Sequence, residues 1–235
     1  ANKLLIRQSR PLPISPSEDA ISQSVKDNYI SPLIAGFKVE AYNNDSTTIL
    51  HDFLESCADE AKQICADNGI EYSSVYPPNL SEQNVIGVMP EHQLCFFAGH
   101  GDTDGIYNEA EEAVVSIHTT NYNFKNKGLY CVACSCAQKL HSHLKSLELL
   151  FFVGYNDTFN VRGEREPFIN SAMAGLKSFL NGDPLKVAKE KMIATYDNQI
   201  ATLDTTDPMA AVELVHNKEA LVFDGNDDLL FSDLQ

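Results

Sequence analysis

The sequence predicts an α/β fold, with a mostly parallel central sheet and helices on both faces. Three observations predict it. Apolar runs of strand length, "LCFFA" (94–98), "LYCVAC" (129–134) and "LLFFVGY" (149–155), are continuous rather than alternating, as expected of strands buried on both faces. Segments with helical spacing separate such runs. The chain of 235 residues, 43% hydrophobic and 21% charged, is long enough to bury a sizeable core, and no interdomain linker or repeat interrupts it. One domain over residues 1–235 is therefore expected.

Taken in order, "NKLLIRQS" reads as a first strand, followed by the loop "RPLPISPSE". "DAISQSVKDNYISPLI" (19–34) reads as a short helix ending before Pro32, and "AGFKVEAYNN" (35–44) as a strand. The clearest helix is "STTILHDFLESCADEAKQICADNG" (46–69). Ile49, Phe53, Leu54, Cys57, Ala61, Ile64 and Cys65 recur at spacings of three and four, and Gly69 stands where a helix stops. "IEYSSVYPP" is a strand or extended link, and "SEQNVIGVM" leads into the strand before His100. "GDTDGIYNEAEE" reads as an acidic loop, "AVVSIHT" as a short strand and "NYNFKNKG" as a turn-rich link. "AQKLHSHLKSL" is a helix and "ELLFFVGYN" a buried strand; "EPFINSAMAGLKSFLNG" and "PLKVAKEKMIATYDNQIATL" are helices bounded by Gly182 and Pro184. The tail "ALVFDGNDDLLFSDL" (220–234) reads as a closing hairpin turning at "DGND".

A net charge of −16 argues against nucleic acid as a partner, because that footprint needs a basic face. The longest apolar stretch is too short to span a bilayer, and no secretory signal opens the chain, so no membrane role is expected. The six cysteines, Cys57, Cys65, Cys95, Cys131, Cys134 and Cys136, sit within apolar runs of a large chain. That is the pattern of a reduced, cytoplasmic protein rather than a disulfide scaffold.

Two strands end on chemistry. "LCFFAGHGDTDG" runs into His100 between Gly99 and Gly101, and "GLYCVACSCAQ" (128–138) runs into Cys134. In parallel sheets, reactive groups collect beyond the carboxyl ends of the strands. A thiol reacts as its thiolate, and a neighbouring histidine can take that proton and later donate one to a leaving amine. Glycines beside the histidine let backbone N–H groups approach an oxyanion. Taken singly, a histidine after a strand is most often a solvated loop residue, and a cysteine in an apolar run an inert core residue. The pair in successive strands is much rarer by chance. "CVACSC" with His141 and His143 could suggest zinc, which wants four convergent ligands. Cys131 and Cys134 fall on opposite faces of a strand, and the two histidines on different helix faces, so no metal is expected. His51, His92, His118 and His216 lack partners by spacing and read as surface or packing residues.

"FFAGHGD" followed by "LYCVACSCAQ" resembles the clan CD, caspase-like cysteine peptidases, and among them the bacterial CHAT-type (caspase, HetF-associated) group. The likeness extends over roughly positions 35–233, including "LELLFFVGYND", "FINSAMAGLKSFLNGDPLKVAKEKM" and "ALVFDGNDDLLF". It implies the caspase-like fold and a cysteine endopeptidase that uses no cofactor. His100 and Cys134 would form a catalytic dyad, with the oxyanion held by the backbone N–H groups of Gly101 and Cys134. The substrate would be a protein. An activating or inhibitory protein partner, and a role as a regulated bacterial defence or cell-death effector, follow by analogy with the group. Relatives usually read Ser-Ala-Cys and then Thr-Gly or Ser-Gly; this chain has Val132-Ala133-Cys134 and then Ser135-Cys136-Ala137. Cys136 is the alternative nucleophile, and Cys134 is preferred because the Ala-Cys register matches. Asp157 falls near the place where some relatives carry an acidic pocket residue, implying Arg or Lys before the scissile bond; its plain alternative is a turn cap. Two rivals remain: a catalytically silent caspase-like binding or scaffold module, and a ligand-binding doubly wound domain. The second lacks any G-x-G-x-x-G or Walker-type loop after its first strand.

Overall fold

A computed structural model describes residues 3–7, 44–75, 79–108, 112–119 and 121–234. The expected helix over 19–34 and all but the last residue of the expected strand over 35–44 lie outside them. Along the chain run β1 (Lys3–Arg7), α1 (Asn44–Asp67), β2 (Glu71–Val75), α2 (Glu82–Val88) and β3 (Leu94–Ala98). Next come β4 (His100–Gly101), β5 (Gly105–Tyr107), β6 (Ala113–Ser116), β7 (Gly128–Val132), α3 (Lys139–Ser146) and β8 (Phe151–Tyr155). The chain closes with α4 (Glu166–Leu180), α5 (Leu185–Leu203), α6 (Pro208–Ala220) and β9 (Leu221–Gly225).

The main sheet has the order β2-β1-β3-β7-β8-β9. Every pair in it is parallel except β8 with β9. Its central strands are buried residue by residue: Leu94–Ala98, Gly128–Val132 and Phe151–Tyr155 have no exposed position. Alternate residues serve two cores, as the period of a strand requires. Phe96, Ala98, Tyr130, Val132, Phe151, Val153 and Tyr155 face a core shared with α1, α4, α5 and α6. Cys95, Phe97, Leu129, Cys131 and Phe152 face a second core shared with α2, α3 and β6. This two-sided burial is what the unbroken apolar runs predict, and the α/β class stands as expected.

In the larger core, long side chains hold their polar ends in pairs. Tyr155 Oη and Tyr196 Oη lie 2.9 Å apart, and Tyr130 Oη donates to the Ala172 carbonyl at 2.6 Å. Burial pushes all three phenols above their usual range. Gly69, at φ +62°, follows α1 as the left-handed stop that the sequence suggests.

Several readings are corrected. The stretch read as the acidic loop "GDTDGIYNEAEE" is not merely a loop: β4 runs from His100 into it and pairs antiparallel with β5, and β5 pairs with β6, giving a small three-stranded sheet. Asp102 makes the turn, its Oδ1 accepting from the N–H groups of Asp104 (2.7 Å) and Gly105 (2.9 Å). "SEQNVIGVM" holds helix α2, which Ser81 caps by accepting from Asn84 N–H at 3.3 Å. Helix α6 had no assignment from sequence; Asp207 caps it at Ala210 N–H (3.1 Å) and Pro208 opens it. The tail is not a hairpin. β9 instead pairs antiparallel with β8, and the return segment gives the carbonyls of Leu229 and Asp227 to the N–H groups of Leu185 (2.9 Å) and Lys186 (3.0 Å). Those are orphan donors at the start of α5, so capping that helix takes the place of pairing within the tail. Among the described residues, no helix is long and apolar enough to cross a membrane.

Candidate active site at the ends of two central strands

β3 and β7 are neighbours in the sheet and pair Ala98 with Val132. His100 lies two residues beyond the first (100 − 98 = 2), and Cys134 two beyond the second (134 − 132 = 2). Both therefore leave the same sheet edge at the same level. Gly99 N–H donates to the Val132 carbonyl at 3.1 Å, carrying the strand pairing one step further. At Gly101 the two chains touch: a Cβ there would lie 2.5 Å from the Cys134 carbonyl oxygen, 3.0 Å from Ala133 Cβ and 3.4 Å from Cys134 N. Only glycine permits that approach. The backbones named for the oxyanion, Gly101 and Cys134, are thus in contact, and His100 is half-buried in the strand beside them.

Cys134 sits in the turn between β7 and α3. Ser135, directly after it, is left-handed at φ +51°, a conformation that non-glycine residues adopt only at some cost. The turn is held from the β8 side: Ser135 N–H donates to the Asp157 carbonyl and Ala137 N–H to the Tyr155 carbonyl, each at 2.9 Å. Cys134 is half-buried and packs against the larger core. Burial pushes its thiol up; the Phe159 N–H, 3.3 Å from Sγ, opposes that rise, and the nearby Cys136 and Asp157 add to it. Cys136 has a different setting. It is wholly buried in the second core, its thiol directed at the Ala133 carbonyl (3.3 Å), with Gly154 so close that a Cβ there would meet its sulfur at 2.8 Å.

Asp157 lies near Cys134 but is exposed, and its Oδ1 accepts from the Thr158 N–H at 2.7 Å. It makes the turn cap that the sequence allowed, and its carboxylate is wet rather than enclosed. The residue that sequence reasoning missed is Phe159, whose role is carried by a backbone N–H that every non-proline residue possesses. His216, read as surface or packing, reaches the Thr158 carbonyl at 2.9 Å beside that amide. For the zinc alternative, His141 is engaged by Asp224 at 3.0 Å and stacks on Phe152. Among the described residues, no group of three His, Cys, Asp or Glu side chains is placed to hold a metal ion.

The family described as "Domain of unknown function (DUF5117)" matches residues 1–76, a span that ends before both His100 and Cys134. No curated protein matches the chain. Among solved structures, the complex of Porphyromonas gingivalis RgpB pro- and mature domains is similar to it at a TM-score of 0.57 and 11% identity, covering 97% of this chain and 48% of that one. The Arg-specific cysteine proteinase gingipain R (RgpB) is similar at a TM-score of 0.53 and 11% identity, covering 97% and 47%. The chain shares the caspase-like fold of gingipain. It spans about half the length of these neighbours, and at such identity the likeness speaks to the fold alone.

Proposed function

We propose that the protein is a cysteine endopeptidase, a single caspase-like unit over residues 1–235, in which Cys134 is the nucleophile and His100 the general acid and base. His100 takes the Cys134 proton, and the sulfur attacks the substrate carbonyl. The N–H groups of Gly101 and Cys134 hold the oxyanion, and His100 passes its proton to the departing amine. Water then hydrolyses the thioester and regenerates the thiol. The observation that carries this reading is the Ala98–Val132 pairing. It sets His100 and Cys134 at one level of adjacent strands, with Gly101 packed on the Cys134 backbone.

The test is covalent. A peptidyl electrophile should label Cys134, as located by mass spectrometry. Cys134→Ala should abolish labelling and cleavage. His100→Ala should cost on the order of 10²-fold in cleavage or more, the scale of losing a general acid or base. Labelling at Cys136 instead would move the nucleophile by two residues and overturn the oxyanion assignment with it.

The preference proposed is Arg or Lys before the cut, read by Asp157, and gingipain R is itself an Arg-specific proteinase. Because Asp157 is exposed, the contact gains strength only as the substrate covers it. Asp157→Asn should lower turnover of basic peptides more than that of apolar ones, and library profiling that returns Leu or Asp would remove this assignment while leaving the dyad. A protein substrate, a cytoplasmic bacterial setting, a regulating protein partner and a defence or cell-death role complete the proposal by analogy with CHAT-type peptidases.

One observation favours a second reading, a silent binding module of the same fold: Cys134 is half-buried against the larger core, and that burial pushes its thiol up. Failure of every peptidyl electrophile to label a folded protein would select it.

A further inference from the structure

The segment after β8, residues 156–163, is laid along α6 and fastened to it at several points. Asn156 N–H donates to the Ala220 carbonyl at 2.8 Å, and His216 Nε2 lies 2.9 Å from the Thr158 carbonyl. At Asn160 the grip is two-handed: Asn217 Oδ1 accepts from Asn160 N–H at 2.8 Å, while Asn217 Nδ2 donates to the Asn160 carbonyl at 2.7 Å. Asn160 Nδ2 also donates to Glu213 Oε2 at 2.7 Å. Asn217 is wholly buried, and its amide satisfies both backbone groups of the half-buried Asn160, as a neighbouring strand would.

Between the Thr158 and Asn160 attachments lies Phe159. Its ring is seated against Phe53 (5.2 Å between centroids) and Tyr155 (4.7 Å). Its N–H donates to Cys134 Sγ at 3.3 Å. The amide is thus fixed by a ring on one side and by the α6 attachments on both flanks. A sulfur that becomes negative gains from a donor already in place, because nothing need reorganise as the charge forms.

We propose that Phe159 N–H is the thiolate-stabilising group of the site and that Asn217, by gripping Asn160, is the positioning residue that aims it. This deepens the Cys134 reading and rests on it. Helix α6 thereby belongs to the machinery of the nucleophile through the segment that it holds.

The experiment follows the alkylation of Cys134 by iodoacetamide as a function of pH, with mass spectrometry to assign the site. In Asn217→Ala, the midpoint of the rate profile should move to higher pH. The rate at neutral pH should fall about tenfold, the scale of a hydrogen bond to a charged group, while the high-pH plateau stays. A purely structural role for Asn217 would lower the melting temperature and leave the midpoint unmoved. Replacing Phe159 by its α-hydroxy acid converts the amide to an ester and deletes the donor alone. It should shift the midpoint by the same amount, and combining it with Asn217→Ala should add nothing. If Asn217→Ala does not fold, the ester variant decides. An unmoved midpoint in the ester variant, or in a folded Asn217→Ala, overturns the proposal. The readout is thiol chemistry rather than peptide cleavage, so a protein that fails to cleave peptides yet shows the shift would refute the peptidase reading and retain the clamp.

Discussion

At the scale of single residues, the site is defined by what is small or bare. Gly101 has no side chain because the Cys134 carbonyl occupies the place of its Cβ, at 2.5 Å. Gly101→Ala must push one backbone off the other, and a displacement near 1 Å in a catalytic geometry costs about 10²-fold. We expect that loss in cleavage rate with a melting temperature changed by only a few degrees; unchanged kinetics would show that Gly101 is not part of the oxyanion site. Cys136→Ala tests the opposite case. Its sulfur fills space in the second core against Gly154, so the change should keep most of the activity and cost about 1 kcal/mol of stability, measured by denaturant titration. The raised Cys134 thiol carries a pH prediction as well. Its thiolate fraction is smaller at neutral pH than that of a free cysteine, so alkylation should be slower than for a cysteine peptide at pH 7 and should climb as pH rises past the ordinary thiol range near ~8.5. A rate that peaks below pH 7 would mean that an ion pair with His100 dominates instead.

At the scale of elements, β3 is the test of two-sided burial. Phe96 and Phe97 are adjacent in sequence and both wholly buried, one in each core. Phe96→Ala and Phe97→Ala should each cost about 3–5 kcal/mol, and the two costs should add to within a few tenths of a kcal/mol because the side chains share no face. A near-neutral result at either position would mean that one face of the sheet is open. The β4–β5 hairpin, which carries His100, is tied to α3, the helix that follows Cys134. Lys139 Nζ lies 2.8 Å from Asp104 Oδ1, and Leu140 N–H donates to the Thr103 carbonyl at 3.0 Å. The small sheet thus docks the hairpin of His100 onto the helix that follows Cys134, a connection that explains why a two-residue strand suffices there.

At the scale of the whole molecule, the main sheet divides the described chain into two cores that share every central strand. Neither core can come apart without exposing one face of β3, β7 and β8, so we expect one cooperative unit. Thermal unfolding followed by far-UV circular dichroism and by tyrosine fluorescence, the sequence having no tryptophan, should give coincident transitions; separate ones would divide residues 1–235 into more than one unit.

The sequence by itself determined the layered α/β class, because continuous apolar runs have no stable place except a strand covered on both sides. It determined His100 and Cys134 as candidates, because each stands at the abrupt end of such a run, and chain direction places strand ends at one edge of a parallel sheet. What it could not show were contacts between distant segments. The tail became an edge strand and a cap for α5 because β8 and the open donors of Leu185 and Lys186 were better partners than its own return. Helix α6 escaped notice because its apolar pattern is weak, with Met209, Val212 and Val215 left exposed. Its hold on the 156–163 segment lies in Asn217 and His216, whose partners are backbone groups more than fifty positions away. A backbone amide aimed at a sulfur has no residue signature at all. Its direction is set only once Phe159, Asn217 and Cys134 are brought together by folding.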